Sequence, residues 1–316
     1  MACSASLKRL TLGQKAELLA ALDAGSHAEE VRSILEARLL QTRTCPHCHG
    51  TRVVRNGSAS GLQRYKCQAC RRTFNALSTT PLARLRMKSK WLQQQDVLVQ
   101  GLSMNQAAAA LKVAPSTAFR WRHRFLQLTQ AVKASELTGV VEADETFFLR
   151  SNKGQRPGRK PRKPRKRGGR ASHKDRGMDL IPILVARDRS GATADFLLEA
   201  VSKACLIQAL KPRIHSDAIL CTDGSAAMAA AADELRVQHE PLNLRAGERV
   251  RGPWHIQNVN AYHGRIKSWI AKFRGVATDY LENYLGWFRA LDRVSKSRLK
   301  VAPMLALAVG LRGITN

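Results

Sequence analysis

The chain has 316 residues, 44% of them hydrophobic, enough for one core of ordinary domain size plus one or two small modules. Its 53 Lys and Arg against 24 Asp and Glu give a formal net charge of +29, far more than solubility needs, so the expected partner is a polyanion. Nucleic acid fits better than membrane, because no apolar run approaches the roughly 20 residues that span a bilayer.

The opening MACSASLKRL lacks the apolar stretch of a secretory signal, so a cytoplasmic protein is expected. Residues 7–40 have helical spacing, with Leu10, Leu18, Leu19, Leu22, Val31, Ile34, Leu35 and Leu39 forming apolar stripes around a break at Gly25 and Ser26. Two short helices are expected in an N-terminal segment, 1–40.

Residues 41–80 change character: they are rich in Arg, punctuated by Gly50, Gly57 and Gly61, and too polar to bury a core. Cys45, Cys48, Cys67 and Cys70 form two CxxC pairs at the spacing that brings two knuckle turns around one tetrahedral zinc. Four thiolates close the coordination sphere, so the expected Zn²⁺ is structural and its binding energy is the folding energy of the ribbon. A redox dithiol explains two pairs at this spacing less well. His47 and His49 are bystanders on this reading. Cys3 stands apart, and Cys205 and Cys221 read as small core residues.

Residues 85–132 have the layout of a helix-turn-helix. Ser103 caps a small-residue helix ending at Leu111, residues 112–114 make the turn, and Pro115 or Ser116 starts the second helix. Val113, Phe119 and either Trp121 or Phe125 are expected to face the core. Ser116 and Thr117 would lie at the reading end of the second helix, with Arg120, Arg122 and Arg124 available for bases or phosphates. An ordinary basic helix pair has the same local pattern.

From residue 136 to about 295 a larger domain is expected. Its first strand, within 138–148, is followed by a run of Pro and like charges, 150–176, that contains Lys160, Arg162, Lys163, Arg165, Lys166 and Arg167 and suits sequence-independent phosphate contacts. Then come strands at 179–187 and 193–198, a helix at 201–210, a strand at 218–222, a helix at 226–235, a weaker strand at 237–244, and helices from 259 to about 300 with a break near Gly275. Three strands, helix, strand, helix, strand, helix is the order of a ribonuclease-H-like α/β fold, though periodicity alone leaves other α/β folds open. Residues 296–316 read as a C-terminal tail helix.

Two acids carry the chemistry of this domain. Asp144 interrupts a strand otherwise suited to burial, and Asp223 follows the apolar run Ile219–Thr222, at the strand's carboxyl end where ligands bind in α/β sheets. A turn aspartate before glycine is the plainer account of Asp223. Together the two acids could hold Mg²⁺ or Mn²⁺ for phosphodiester chemistry, with a third ligand from the final helix, offered by residues 254–263. Glu142 and Glu145 are expected on the face opposite Asp144 or at its edge.

GVVEADETFF, the CTDGS turn and HIQNVNAYHGRIKSWIAKFRGVATDYLENYLGWFRAL resemble the transposases of the IS1595 (ISXO2-like) insertion-sequence family, and the likeness extends over nearly the whole chain. The resemblance implies a zinc ribbon, a helix-turn-helix and a ribonuclease-H-like catalytic domain of the Asp-Asp-Glu or Asp-Asp-Asn type. It makes Asp144 and Asp223 the two aspartates, Asn260 the third metal ligand and Lys267 the lysine on the same helix, with Asn258 or a nearby Glu as alternatives to Asn260. Asn260 and Lys267 are seven apart, two turns along one helix face. The implied activity is metal-dependent cutting of transposon-end DNA and joining of the freed 3′-hydroxyl to target DNA, by a homo-oligomer. Two alternatives remain: a simple endonuclease, and a DNA-binding regulator derived from such an enzyme, for which Asn260 in place of a carboxylate is the motive.

Overall fold

The structure, a computed structural model, describes residues 29, 31–37, 39, 44–154, 180–294 and 308. The first expected helix, the basic run from 155 onward with its Lys160, Arg162, Lys163, Arg165, Lys166 and Arg167, and the tail helix but for Ala308 lie outside the described residues. The chain divides into two compact units, Met1–Thr129 with Ala290–Asn316, and Gln130–Arg289.

In the first unit, residues 31–37 are helical and bury Val31, Ile34 and Leu35 together with Leu39, the stripe expected from their spacing. Glu36 on this helix accepts hydrogen bonds from the Gln63 N–H (3.3 Å) and the Tyr65 hydroxyl (3.2 Å). Those partners belong to a three-stranded antiparallel sheet, β1 (Val53–Ala59), β2 (Leu62–Cys67) and β3 (Thr73–Asn75). Ala59 pairs with Leu62, so Ser60 and Gly61 are the whole turn, and their φ values of 52° and 75° are the pair of positive angles that a tight hairpin requires.

Three helices follow: α1 (Trp91–Val99), α2 (Met104–Leu111) and α3 (Pro115–Leu126). Ser103 is the N-cap of α2, and its backbone N–H donates to the Gln106 side chain at 3.0 Å. Lys112 turns left-handed to end α2, and Pro115, whose missing N–H costs nothing at a first helical position, starts α3. Ala118, Trp121, Arg122, Phe125 and Leu126 form the buried face of α3. Phe119 does not join it. At 41% exposure it lies a third of a turn away and stacks on His123 one turn further along, ring centroids 4.4 Å apart, so the sequence expectation for Phe119 is corrected.

The second unit is built on a five-stranded sheet with strand order β6-β5-β4-β7-β8: β4 (Val140–Leu149), β5 (Leu180–Asp188), β6 (Thr193–Leu197), β7 (Ile219–Thr222) and β8 (Gln238–Pro241). β4, β5 and β6 pair antiparallel as a meander, while β7 pairs parallel to β4 and β8 parallel to β7. The parallel connections run through α4 (Lys203–Leu210) and α5 (Ala226–Leu235). Val141 and Ala143 of β4 pack with Leu184, Leu206, Leu210, Leu220, Met228 and Ala231 in one core. Alternation then sends Glu142 and Asp144 to the opposite face, toward α6 (Gln257–Ala271). A short hairpin, β9 (Val250–Arg251) and β10 (Trp254–His255), leads into α6, and after the left-handed turn at Gly275 the chain forms α7 (Leu281–Val294).

The α6 and α7 helices meet through an aromatic cluster in which Trp269 stacks edge-on against Trp287 at 4.8 Å and Phe273 against Tyr284 at 5.0 Å. Arg289 of α7, 1% exposed, pairs with the buried Asp195 of β6 and donates to the Val132 and Gln130 carbonyls at 2.9 and 3.1 Å. One guanidinium thereby satisfies a buried carboxylate and two carbonyls of the segment that enters the sheet.

Candidate active site

β4 and β7 run parallel, with Glu142 opposite Cys221. Two residues on, Asp144 stands level with Asp223, which begins the loop where β7 has ended. Gly224 makes that loop possible: its φ is +74°, and a Cβ there would come within 3.2 Å of the Pro241 Cβ. One oxygen of Asp223 accepts the Ser225 N–H at 3.0 Å, so the turn role does belong to this aspartate. The same side chain also meets two other acids, for Asp144, Glu145 and Asp223 each place a carboxylate oxygen within 4.8 Å of the others.

Glu145 therefore corrects the sequence expectation, which set both flanking glutamates apart from Asp144. Glu145 pairs regularly with Leu184 of β5, and its carboxylate nevertheless lies with those of the two aspartates. Glu142 corrects it too, because residues two apart on a strand share a face, and Glu142 faces α6 together with Asp144.

The electrostatics of the cluster are those of acids pressed together, with the Lys267 ammonium too weak an influence to offset burial and mutual repulsion. Burial, and then the neighbouring Asp223, push Asp144 up to about 6, while Lys267 pulls it down. Burial, then Asp144 and Asp223, push Glu145 up to about 7, and one Glu145 oxygen is buried without a hydrogen-bond partner.

From α6, His263 approaches closely: its Nδ1 lies 3.6 Å from an Asp144 oxygen, and its Nε2 is buried without a partner. Burial drives this imidazole down to about 4, with Lys267 adding to the effect, so the contact joins a neutral ring to the aspartate and is not an ion pair. Lys267, one turn beyond His263, is exposed and near enough for its charge to act on Asp144. Asn260, one turn before His263, has an exposed side chain and a backbone N–H bonded to the Ile256 carbonyl at 3.1 Å. Asn258, its alternative, is engaged elsewhere: its amide donates to Glu142 at 2.8 Å. Sequence reasoning named Glu145 but set it opposite Asp144 or at its edge, and it passed over His263, for which the one available signal was the i, i+3, i+7 spacing of positions 260, 263 and 267 along a single helix face.

In the first unit, Cys45, Cys48, Cys67 and Cys70 come together within 4.8 Å, with Cys45–Cys70 and Cys48–Cys67 sulfur separations of 3.6 Å. Four thiolates at ~2.3 Å from a tetrahedral zinc would be about 3.8 Å apart, so the cluster has the dimensions of such a site. Ser116 and Arg120 are exposed and Thr117 half-buried at the start of α3. Arg122 is withdrawn from the surface: it is 1% exposed and donates to the Leu102 carbonyl at 2.6 Å. Arg124 donates to the Pro81 carbonyl and, at 2.8 Å, to the Ala83 carbonyl. The expectation that these two arginines are available to DNA is corrected for Arg122, which has no exposed face, and Arg124 is committed to the chain's own carbonyls.

Residues 136–289 match the family model of the ISXO2-like transposase domain. The chain is 27% identical over 274 residues, 84% of its own length and 91% of the relative's, to a protein of Halobacterium salinarum described as an uncharacterized protein in transposable element ISH50. Among solved structures it is similar to a chain of the simian T-cell lymphotropic virus intasome in complex with PP2A regulatory subunit B56 gamma, at 12% identity and a TM-score of 0.31 over 50% of each chain. It is also similar to a chain of a pre-cleavage Mos1 transpososome, at 14% identity and a TM-score of 0.24 over 65% of this chain and 77% of that one. TM-scores this low say nothing further about the present chain. Among the described residues, no helix is long and apolar enough to cross a membrane.

Proposed function

We propose that the chain, whose residues 136–289 match the family model of the ISXO2-like transposase domain, is a transposase that binds transposon-end DNA, cuts it, and joins the freed end to target DNA. The observation that carries the reading is the convergence of Asp144, Glu145 and Asp223 at the point where β7 ends beside β4. Three buried or half-buried carboxylates, two of them with raised pKa values and one with an unpartnered oxygen, suit a hard divalent cation, Mg²⁺ or Mn²⁺. Asp144 and Asp223 would hold it, with Asn260 as the amide ligand from α6 and Glu145 as an additional carboxylate. Cations bound there supply Lewis-acid activation of the attacking oxygen and stabilisation of the leaving one.

The remaining chemistry belongs to the chain itself. Lys267, exposed on the turn after His263, offers an ammonium to the phosphate being attacked, and His263 packs against Asp144 and excludes water from that side. In the first step water attacks a phosphodiester and a 3′-hydroxyl leaves. In the second that hydroxyl attacks a target phosphodiester, so one P–O bond forms as another breaks and no high-energy cofactor is consumed. The meander followed by two parallel strands supports assignment of this sheet to the ribonuclease-H-like fold.

The first unit is the proposed end-binding part. Its order is an N-terminal helical segment (1–40), a zinc ribbon (41–80) and a helix-turn-helix (85–132), ahead of the catalytic domain (136–295, with the basic insertion 150–176) and a tail (296–316). Ser116, Thr117 and Arg120 at the start of α3 are the proposed contacts to the end sequence, and the basic insertion supplies phosphate contacts. The enzyme would act as a homo-oligomer on DNA in the cytoplasm.

The test is strand transfer in Mg²⁺ or Mn²⁺ with purified protein and DNA carrying the gene's own flanks, beside Asp223→Asn. Joined product from wild type and not from the variant supports the reading. Nicks without joining would make the protein an endonuclease, and binding without cutting would make it a regulator.

A further inference from the structure

Resting on the DNA-cutting role of residues 136–289, we infer that Glu142 is a positioning residue: its carboxylate caps α6 and fixes how Asn260, His263 and Lys267 are offered to Asp144 and Asp223. The side chain is completely buried. Its Oε2 accepts the backbone N–H groups of Asn258 (2.7 Å) and Val259 (3.0 Å), and its Oε1 accepts the Asn258 amide (2.8 Å). Arg189 and His255 each bring a nitrogen within 3.4 Å of the same Oε1.

These contacts do two things at once. The residue that begins α6, Ile256, has no side-chain acceptor for the free N–H groups of the first turn, and Glu142 supplies one from a strand 116 residues earlier in the chain, with a negative charge at the favourable end of the helix. Both oxygens are thereby occupied. A carboxylate accepts about four hydrogen bonds, and Glu142 has that many donors around it, so it is not available as a further metal ligand although it stands only two residues from Asp144.

Arg189 extends the arrangement. It lies in the turn between β5 and β6, donates to the Pro253 carbonyl at 3.0 Å and contacts the His255 ring. Strand β4, that turn, the β9–β10 hairpin and the first turn of α6 thus meet on one carboxylate. Glu142 and Asp144 are neighbours on one face of one strand, so whatever fixes α6 on Glu142 also fixes it with respect to Asp144. A misplacement of about 1 Å in such a site can cost on the order of a hundredfold in rate.

The experiment compares Glu142→Gln, Glu142→Ala and Asp144→Asn in the full chain, below their melting temperatures, by three readouts: end-cleavage rate, Mn²⁺ affinity by titration, and amide exchange at Asn258 and Val259. Glu142→Gln keeps one acceptor and should lose about tenfold in rate, Glu142→Ala about a hundredfold. Both should exchange the two amides faster and lose only the small part of the Mn²⁺ affinity that Asn260 contributes from α6, whereas Asp144→Asn should lose most of that affinity. Adding Asn258→Asp to Glu142→Gln restores the side-chain hydrogen bond in reverse and should recover part of the rate. If Glu142→Gln loses Mn²⁺ affinity as Asp144→Asn does, Glu142 is a ligand and the inference falls. It also falls if cleavage is unchanged while the amides exchange faster, because Glu142 is then only a structural cap. A wild-type protein that does not cut at all would instead overturn the transposase reading, with amide exchange and Mn²⁺ affinity still reporting on the cap.

Discussion

The Nδ1 of His263 lies 3.6 Å from the Asp144 carboxylate, a neutral ring against an acid that stays protonated up to about 6. The ring is buried, comes from the helix that also carries Asn260 and Lys267, and has no charge of its own to contribute at neutral pH. Its proposed work is to hold Asp144 in place. His263→Phe keeps an aromatic ring, slightly larger, and removes both nitrogens, so the domain should lose only about 1–3 kcal/mol to overpacking while end cleavage falls on the order of tenfold to a hundredfold. His263→Ala adds a cavity and should lower stability as well, by about 2–4 kcal/mol. Unchanged cleavage by the Phe variant would show that the ring only packs.

The carboxylate cluster makes stability depend on pH in a stated direction. Asp144 and Glu145 have ordinary values of 3.8 and 4.5 and are raised to about 6 and about 7 in the fold. The folded chain therefore holds their protons more tightly than the unfolded one, and the stability this contributes is complete below the ordinary values and lost as pH rises through the folded ones. In chelator the melting temperature should fall between pH 4 and pH 7 through this cluster. The loss is on the order of 2 kcal/mol after allowance for partial exposure, or ~4–8 °C for a unit of this size. Glu145→Gln should flatten that slope. Mn²⁺ should raise the melting temperature, and more so at pH 8 than at pH 5, where protons compete for the same oxygens. Thermal scans across this range decide it: a cation effect that is the same at both pH values would remove these acids as the binding site.

Arg120 and Arg122 are two residues apart and should behave oppositely. Arg120 is exposed near the start of α3, while Arg122 is buried and holds the Leu102 carbonyl between α1 and α2. Arg120→Ala should leave the melting temperature unchanged and weaken end-DNA binding, by about 1–3 kcal/mol if it reads a base. Arg122→Ala should destabilise the first unit by about 2–4 kcal/mol, because it removes a charged donor and leaves a buried carbonyl unpaired. Gel-shift titration and thermal melting of the two variants separate the roles, and a stable Arg122→Ala protein with lost DNA binding would reverse the assignment.

Much of this architecture is legible locally. Alternation along β4, the two CxxC pairs, Ser103 before α2 and Pro115 at the start of α3 are signals within a few residues, and the strand and helix order of the second unit follows from its own apolar runs and turns. The site is only half legible in the same way, because its remaining members depend on contacts between distant segments. Glu142 reads as one more acid beside Asp144, and nothing in its neighbourhood announces partners at Asn258 and Val259. Glu145 follows Asp144 directly, and alternation alone would set it on the other face, yet its carboxylate lies with the two aspartates. Arg122 looks like every other arginine on a basic helix until its carbonyl partner at Leu102 is in place, and Phe119 looks like core because hydrophobicity alone cannot tell adjacent positions on a helix apart.

The four-cysteine cluster carries a last prediction. The Cys67 thiol is lowered to about 7, first by the Cys70 backbone N–H, which favours the thiolate form that a metal takes. Residues 44–75 bury little beyond Cys45, Leu62, Cys67 and Phe74, too little to hold three short strands by apolar burial alone. Purified protein should contain one equivalent of zinc. Stripping it with a chelator should abolish amide protection across β1–β3 and weaken end-DNA binding, while the thermal transition of residues 130–289 stays in place. Cys48→Ser should do the same without chelator. Metal analysis with amide exchange tests this directly: a ribbon that keeps its protection after zinc has left would mean that the strands, and not the metal, hold the four sulfurs together.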